Sequence, residues 1–281
     1  MGVRSGALVR RRQLARVLRE MRQKAGFTIE AAAPRLDFSP SKLSRIENAH
    51  QGVDVHVVRT MMDIFGVGGD RWNEILDLTR AAGAKGWWRA YGLDDHGYVP
   101  LEAEASAVRE YAVNCLPGLL QTAEYARSLF ESSGHIGSPA VRENDVAIRM
   151  IRQDRLRDPE NPLTLDAVIE ESALRRMIGD ADIMCAQLAQ VVEAAELDSV
   201  TIQVLPADVG AHQGVTGAFT LLSFEGLGEP DIGYVEHPMG SVHIEKAGDV
   251  ARGRLVFDHL RRLALGQEES AALIERVAMQ M

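Results

Sequence analysis

The sequence predicts a multidomain protein in which an all-α domain of five helices precedes an α+β domain with a mostly antiparallel sheet. The chain length of 281 residues suits two domains better than one small module. Apolar residues recur at helical spacing as far as residue 84, whereas short runs typical of strands begin at residue 163. We place the domains at residues 1–84 and 98–281, with a linker at 85–97 that contains Trp87 and Trp88.

The composition is that of an ordinary globular protein, with 46% hydrophobic and 25% charged residues. No apolar run reaches the roughly 18 residues of a membrane-spanning helix. The basic start, residues 1–12, is followed by no apolar segment, so no secretory signal is expected. Two distant cysteines, Cys115 and Cys185, exclude a disulfide framework. These observations predict a cytoplasmic protein without a membrane partner.

Charge is divided unevenly along the chain. Residues 1–89 contain 16 basic and 9 acidic residues, whereas residues 90–281 contain 15 and 31. The net charges are therefore +7 and −16, although the whole chain carries −9. A basic first domain followed by an acidic second domain indicates that the first binds phosphate groups and the second does not. Basic residues that merely cover solvated helix faces are the alternative explanation.

Boundary residues divide the first domain into short helices. Gly26 ends one helix, Thr28 caps the next, Ser39 and Pro40 open a third, and Asp54 caps a fourth. Two short helices joined by a tight turn, residues 28–48, form a helix-turn-helix pattern. The predicted helices span residues 10–24, 28–36, 39–48, 54–65 and 71–84.

The outer face of the third helix suits DNA. At 100° per residue, Leu43 and Ile46 share the inner side. Ser41, Ser44 and Arg45 lie opposite, and this face has no acidic residue. Small hydroxyls reach base edges in a major groove, and arginine binds guanine O6 and N7 together. A bundle that binds only protein would explain the helices but not the acid-free face, so the pattern favours DNA binding.

The segments 26–28 and 38–48 resemble the XRE (phage Cro/repressor-like) helix-turn-helix family, and the resemblance covers residues 10–84. It implies a five-helix bundle whose third helix, residues 39–48, reads DNA. It also implies a structural pair between the first and third helices, here Arg22 and Glu47. The DNA base contacts expected from the resemblance and the helix geometry are Pro40, Ser41, Ser44 and Arg45. The expected DNA backbone contacts are Thr28, Ser39, Lys42 and Asn48.

Three positions depart from the family pattern. Ile29 replaces a glutamine that supports a phosphate contact, and isoleucine cannot form that hydrogen bond. Asp37 replaces the turn glycine, and aspartate tolerates a left-handed backbone. Pro34 removes a backbone donor late in the second helix and should shorten or kink it.

The second domain mixes helices and strands without strict alternation, which predicts the α+β class. The adjacent tryptophans of the linker most often pack two domains together, and a ligand cage is the alternative. The predicted helices span residues 101–111, 122–132, 139–157, 172–178, 180–196, 249–265 and 268–280. The predicted strands span residues 163–169, 200–205, 218–223, 232–236 and 241–244.

The segments 86–88, 116–127 and 152–156 are similar to the C-terminal domain of actinobacterial XRE-type regulators of the WhiJ-like or antitoxin-like kind. Together with the helix-turn-helix, these segments extend the resemblance over nearly the whole chain. It implies a transcription factor that is commonly paired with a small protein encoded beside it. Cys115 occupies a position that is usually apolar in these regulators, so a buried, unreactive thiol is expected.

No sequence pattern of a hydrolase nucleophile, zinc protease, phosphate loop or dinucleotide site is present. We therefore expect no enzyme activity and no cofactor. His212, His237 and His243 fall near the ends of predicted strands, where they could approach one another. Solvated loop histidines explain them better, so no metal is predicted.

Together these observations predict a sequence-specific, DNA-binding transcriptional regulator with a Cro/repressor-like helix-turn-helix, and they leave open whether it activates or represses. One short recognition helix covers a single half-site, so a homodimer on a palindromic operator is expected. The acidic domain would supply a surface for dimerisation, for a small partner protein or for an effector. The alternative is an antitoxin-type interaction protein whose DNA binding is secondary. An enzyme with a helix-turn-helix appendage is a third hypothesis, which only the unexplained second domain supports.

Overall fold

The computed structural model describes residues 8–93, 97–132 and 138–281. The chain divides into an N-terminal unit that runs to Glu104 and includes residues 225–229, and a C-terminal unit formed by Ala105–Phe224 and Pro230–Met281. Residues 1–7, 94–96 and 133–137 of the predicted domains and linker lie outside the described residues.

The described part of the N-terminal unit is helical, and its helices each bury one apolar stripe. Leu18, Leu43, Met61 and Met62 are fully buried at the centre of a single hydrophobic core. Two short 3-10 helices, Ala33–Leu36 and Trp87–Tyr91, connect the longer elements. The α-helices are α1 (Leu8–Lys24), α2 (Ile29–Ala32), α3 (Pro40–Glu47), α4 (Val55–Phe65), α5 (Asp70–Ala82) and α6 (Tyr98–Glu104).

Side-chain caps explain where three of these helices begin. The Thr28 hydroxyl accepts a hydrogen bond from Ala31 N at 3.2 Å at the start of α2. Asp54 accepts from the backbone N–H of His56 and Val57 at 2.7 and 3.1 Å at the start of α4. Such caps satisfy backbone donors that a helix leaves without internal partners. The third, at Ser39, belongs to the candidate site described below.

The end of α2 follows from two residues that depart from the family pattern. The α-helix stops at Ala32, and Pro34 lies in the 3-10 helix that continues it. Proline lacks the N–H that an α-helix needs, which accounts for the shortening. Asp37 then adopts φ 53° and ψ 37°, the left-handed conformation that the turn requires.

The tryptophan pair lies in the 3-10 helix Trp87–Tyr91. Trp88 is fully buried, and the Trp87 ring lies edge-on at 6.1 Å from Trp88 and 6.0 Å from Tyr91. A Cβ at Gly86 would come within 2.2 Å of the Trp88 ring, so glycine is required at that position. That the pair packs the two domains together stays a prediction.

The start of α1 is capped by a residue 95 positions away. The two carboxylate oxygens of Glu104 accept hydrogen bonds from Val9 N at 3.0 Å and from Arg10 N at 3.2 Å. Glu104 is 8% exposed. Burial raises the pKa of its carboxyl from 4.5 to about 7, although both backbone donors favour the ionised form.

This buried carboxyl predicts a pH-dependent stability of the N-terminal unit. Between pH 4.5 and 7 the folded chain holds a proton that the unfolded chain releases, so the free energy of unfolding should fall as pH rises through this window. All three tryptophans lie in the N-terminal unit, so urea unfolding can be followed by their fluorescence. Glu104→Gln should flatten this dependence. A variant that kept the wild-type slope would show that Glu104 does not cause it.

The C-terminal unit is built on a six-stranded mixed sheet with the order β3-β2-β1-β4-β5-β6. Strands β1, β2 and β3 run parallel, whereas β1 pairs with β4, and β5 with β6, in antiparallel fashion. The fold is therefore α+β as expected, with a parallel portion in the sheet. The strands are β1 (Ala107–Ala112), β2 (Thr164–Glu170), β3 (Val200–Leu205), β4 (Phe219–Phe224), β5 (Glu229–His237) and β6 (Gly240–Ile244).

Helices surround this sheet. Val250, Phe257 and Leu260 of α11 form a core cluster with Tyr111 of β1 and Leu221 of β4. The outer edge of β3 is covered, because Leu265 N donates to Val204 O and Val204 N donates to Ser270 Oγ, both at 2.9 Å. The helices are α7 (Ala123–Ser132), α8 (Pro139–Gln153), α9 (Glu171–Arg175), α10 (Ala181–Ala194), α11 (Ala247–Leu263) and α12 (Gln267–Ala278).

The prediction of one helix at residues 101–111 is wrong. The helix α6 ends at Glu104, and Ala107–Ala112 is strand β1. β1 lies between β2 and β4, so Tyr111 is opposite Val168 on one side and Phe219 on the other. In β1 the half-buried Arg109 and Glu110 stand side by side and buried residues do not alternate with exposed ones, so the local pattern does not indicate a strand. Residues 107–112 form a strand because they pair with β2 and β4, which are distant in sequence.

Candidate nucleic-acid interface

Helix α3 is the element that presents the candidate site. The Ser39 hydroxyl accepts from Lys42 N at 3.2 Å, and Pro40 occupies the first turn. Leu43 and Ile46 are 0% and 2% exposed and anchor the inner side of the helix in the core. The opposite side of α3 therefore lies at the surface of the N-terminal unit.

A buried ion pair joins α1 to α3. Arg22 donates from Nε to Glu47 Oε1 and from Nη2 to Glu47 Oε2, each at 2.7 Å. The two residues are 6% and 2% exposed. Nη1 of Arg22 also donates to Phe27 O at 2.6 Å, which connects the pair to the segment before α2. The hydrogen bonds to Glu47 raise the pKa of Arg22, so its guanidinium is charged, and the two-point geometry of the pair fixes α3 against α1.

The residues expected to contact bases differ in exposure. Pro40, Ser41 and Arg45 are exposed, whereas Ser44 is half-buried. Ser41 and Arg45 are four positions apart and so lie on one face of α3. This face carries a hydroxyl and a guanidinium, two of the groups that form hydrogen bonds with base edges.

The residues expected to contact the DNA backbone surround the start of α3. Thr28 and Ser39 are exposed, and their hydroxyl oxygens already accept from helix N–H groups. The Lys42 amine lies 3.5 Å from the centre of the Phe38 ring, which holds its charge beside the turn. A helix N-terminus with an adjacent lysine attracts phosphate.

Asn48 is exposed, and its side-chain amide forms hydrogen bonds within the protein. Its Nδ2 donates to Ser44 O at 2.7 Å, and its Oδ1 accepts a hydrogen bond from the Arg19 guanidinium. Arg19 also donates to Glu47 O at 2.8 Å. Sequence reasoning missed Arg19, which lies one turn before Arg22 on α1 and whose spacing from it was the available signal. Its guanidinium, about 40% exposed, adds positive charge at the C-terminal end of α3.

The three histidines that were weighed as a metal cluster have separate partners. His212 Nε2 lies 3.1 Å from Glu170 Oε1, the His237 Nδ1 accepts from Met239 N, and the His243 ring packs on Tyr234. Within residues 8–93, 97–132 and 138–281, no group of three or more His, Cys, Asp or Glu side chains is arranged to hold a metal ion. Burial raises the pKa of the Cys115 thiol, which disfavours the reactive thiolate.

Two known domains match the chain. A helix-turn-helix domain matches residues 13–85. A domain of unknown function, DUF5753, matches residues 96–276, which is more than half of the chain. The chain belongs to the DUF5753 family. The helix-turn-helix match indicates that this member of the DUF5753 family is a DNA-binding regulator.

No curated protein and no solved structure matches the chain. In the part of the chain that the structure describes, no helix has both the length and the apolar character needed to cross a membrane.

The position of Lys42 predicts a uniform effect on DNA binding. Lys42→Ala should weaken binding to all DNA sequences alike, because a phosphate contact carries no base information. The slope of log K against log salt should fall by about 1. Binding isotherms at several salt concentrations measure this. Lys246→Ala is the matched control, since Lys246 lies in the acidic unit and is 81% exposed. A sequence-dependent loss in Lys42→Ala would contradict the assignment.

Proposed function

We propose that this protein is a sequence-specific transcriptional regulator of the XRE type that inserts α3 into the major groove of DNA. The observation that carries the proposal is the pairing of an exposed Ser41–Arg45 face with an opposite side that is fixed by buried contacts. A recognition helix must expose its base-reading side chains and must itself be held rigidly, because the register of the contacts determines specificity.

The proposed contacts divide by chemistry. Pro40, Ser41, Ser44 and Arg45 meet base edges, with Arg45 as the main reader of guanine. Thr28, Ser39 and Lys42 meet phosphates. Asn48 contributes together with Arg19, because the hydrogen bond between them orients both side chains.

We propose a homodimer on a palindromic operator, with two half-sites about 10 base pairs apart, because one α3 covers a single half-site. The net charge of −16 in residues 90–281 repels DNA, which supports confining DNA contact to the N-terminal unit. If DNA contacts only the N-terminal unit, the acidic unit is available for dimerisation or for the small partner protein that the WhiJ-like resemblance implies.

Selection from a random duplex library with the full-length protein tests the proposal. We expect two related half-sites in inverted orientation, and a change in selected sequence when Ser41 and Arg45 are replaced. Arg80→Ala serves as a matched control, because Arg80 is exposed and pairs with Asp77, one turn earlier in α5. Selection of no consensus, or of the same consensus by the double variant, would overturn the proposal.

The acidic composition also supports the antitoxin-type alternative, in which partner binding comes first. Co-expression with a small partner protein encoded beside this gene, of the kind that the WhiJ-like resemblance implies, separates the two. A stable 1:1 complex that loses operator binding favours the alternative. A complex that keeps operator binding favours the regulator.

A further inference from the structure

A cavity of about 590 Å³, open to solvent on one side, lies in the C-terminal unit. Strands β4, β5 and β6 form its floor, the first half of α11 forms one wall, and residues 213–218 form the other. We propose that this cavity binds a small, uncharged and largely apolar molecule. The proposal does not depend on DNA binding, since every residue that lines the cavity belongs to the C-terminal unit.

The size and lining of the cavity suit such a ligand. Its volume falls in the range of about 300–1,000 Å³ that is typical of small-molecule sites. Burying a mostly apolar ligand against an apolar lining removes both surfaces from water. The apolar lining side chains are Phe219, Leu221, Val235, Ile244, Val250 and Val256.

Glycines keep this space open. A Cβ at Gly233 would lie 3.2 Å from Ile244 Cβ, and a Cβ at Gly253 would lie 3.2 Å from Leu221 Cδ2. Both distances are shorter than ordinary van der Waals contacts, so a side chain at either position would crowd the floor or the helical wall.

The polar groups of the cavity favour an uncharged ligand with a few hydrogen-bonding atoms. Asn114, Gln213 and Thr216 supply neutral amide and hydroxyl groups. The charged lining residues are of both signs: Glu236 and Asp249 on one hand, Arg252 on the other, all exposed. Asp249 is also paired with Lys246 at 3.7 Å. Because these charges are of both signs and exposed to water, they are screened and give no strong local preference for a charged ligand.

The loop wall is held in place before any ligand arrives. His212 Nε2 lies 3.1 Å from Glu170 Oε1, and Gly214 N donates to His212 Nδ1 at 3.2 Å. The buried Tyr111 hydroxyl donates to the same Glu170 carboxylate. A Cβ at Gly214 would lie 2.6 Å from Tyr111 Cε1, so the loop is pressed against that ring. A preformed wall lowers the entropic cost of binding.

Titration with Nile red, an uncharged apolar dye, tests the proposal on the full chain. We expect saturable 1:1 binding with blue-shifted emission. Thr216→Trp, which fills the cavity from the loop, and Val235→Lys, which places a charge on the floor, should each weaken binding at least about tenfold. Val215→Trp is the matched control and should bind as wild type, because Val215 is adjacent, 72% exposed and not part of the lining.

The class of ligand is tested by competition. Of 2-naphthol, 2-naphthoate and 2-naphthylmethylammonium, which share one ring system, the neutral 2-naphthol should displace Nile red at the lowest concentration. Equal or better displacement by a charged analogue overturns the assignment of class. Dye binding that is absent, or unchanged in Thr216→Trp, overturns the site. Thr216 is exposed, so this variant remains informative if Val235→Lys does not fold.

Discussion

Arg22→Ala is expected to destabilise the N-terminal unit by about 3–5 kcal/mol. The substitution leaves the Glu47 carboxylate 2% exposed with its two 2.7 Å hydrogen bonds from Arg22 removed. It also removes the donor to Phe27 O. A buried carboxylate that loses its two-point partner costs more than the pair itself contributes, and Arg19, whose Nε lies 4.0 Å from Glu47 Oε2, replaces neither hydrogen bond. Urea unfolding, followed by the fluorescence of Trp72, Trp87 and Trp88, measures the loss.

Two further variants separate the buried charge from other effects. Arg80→Ala removes an arginine from an exposed pair, 56% and 73% exposed, and should change the free energy of unfolding by no more than about 0.5 kcal/mol. The double variant Arg22→Met with Glu47→Leu removes both charges, so it should recover most of the stability. If the double variant were no more stable than Arg22→Ala, packing rather than charge would govern this contact.

Arg45→Ala is expected to weaken binding to the best operator by about 1–3 kcal/mol and to relax the preference at one base pair. Arg45 is exposed on α3, and its neighbours Leu43 and Ile46 anchor the helix, so the substitution should leave the fold intact. Competition binding with single-base operator variants locates the position that loses discrimination.

Arg45→Lys distinguishes base reading from simple charge. Lysine keeps the positive charge but not the planar, two-point donor geometry of arginine. It should therefore keep the salt dependence of the wild type while losing the same base preference as Arg45→Ala. If Arg45→Lys retained full specificity, the role of Arg45 would be electrostatic, and base reading would have to come from other side chains of α3.

Local sequence signals predicted the N-terminal helices well, because their causes are local. Thr28, Ser39 and Asp54 cap helices within three residues of themselves. Pro34 shortens α2, and Asp37 adopts the left-handed conformation, both through their own backbone chemistry. Such effects can be read from a few neighbouring residues.

Features that depend on distant residues were missed. Strand β1 was mistaken for helix because β2 and β4, which define it, lie far away in sequence. The mixed sheet agrees with the expected α+β class, and only the parallel direction of β1, β2 and β3 was not specified, since strand direction follows from connections rather than from strand composition. At the candidate site, the engagement of Asn48 by Arg19 was missed for the same reason.

The carboxylate that caps α1 bears on how the molecule can be dissected. Sequence reasoning would cut a minimal DNA-binding fragment after residue 84, yet Val9 and Arg10 donate to Glu104. In a fragment that ends at residue 84, the first backbone N–H groups of α1 would bond to water instead of to Glu104. The N-terminal end of α1 would therefore fray. A minimal DNA-binding fragment that keeps the start of α1 folded should therefore extend at least through Glu104.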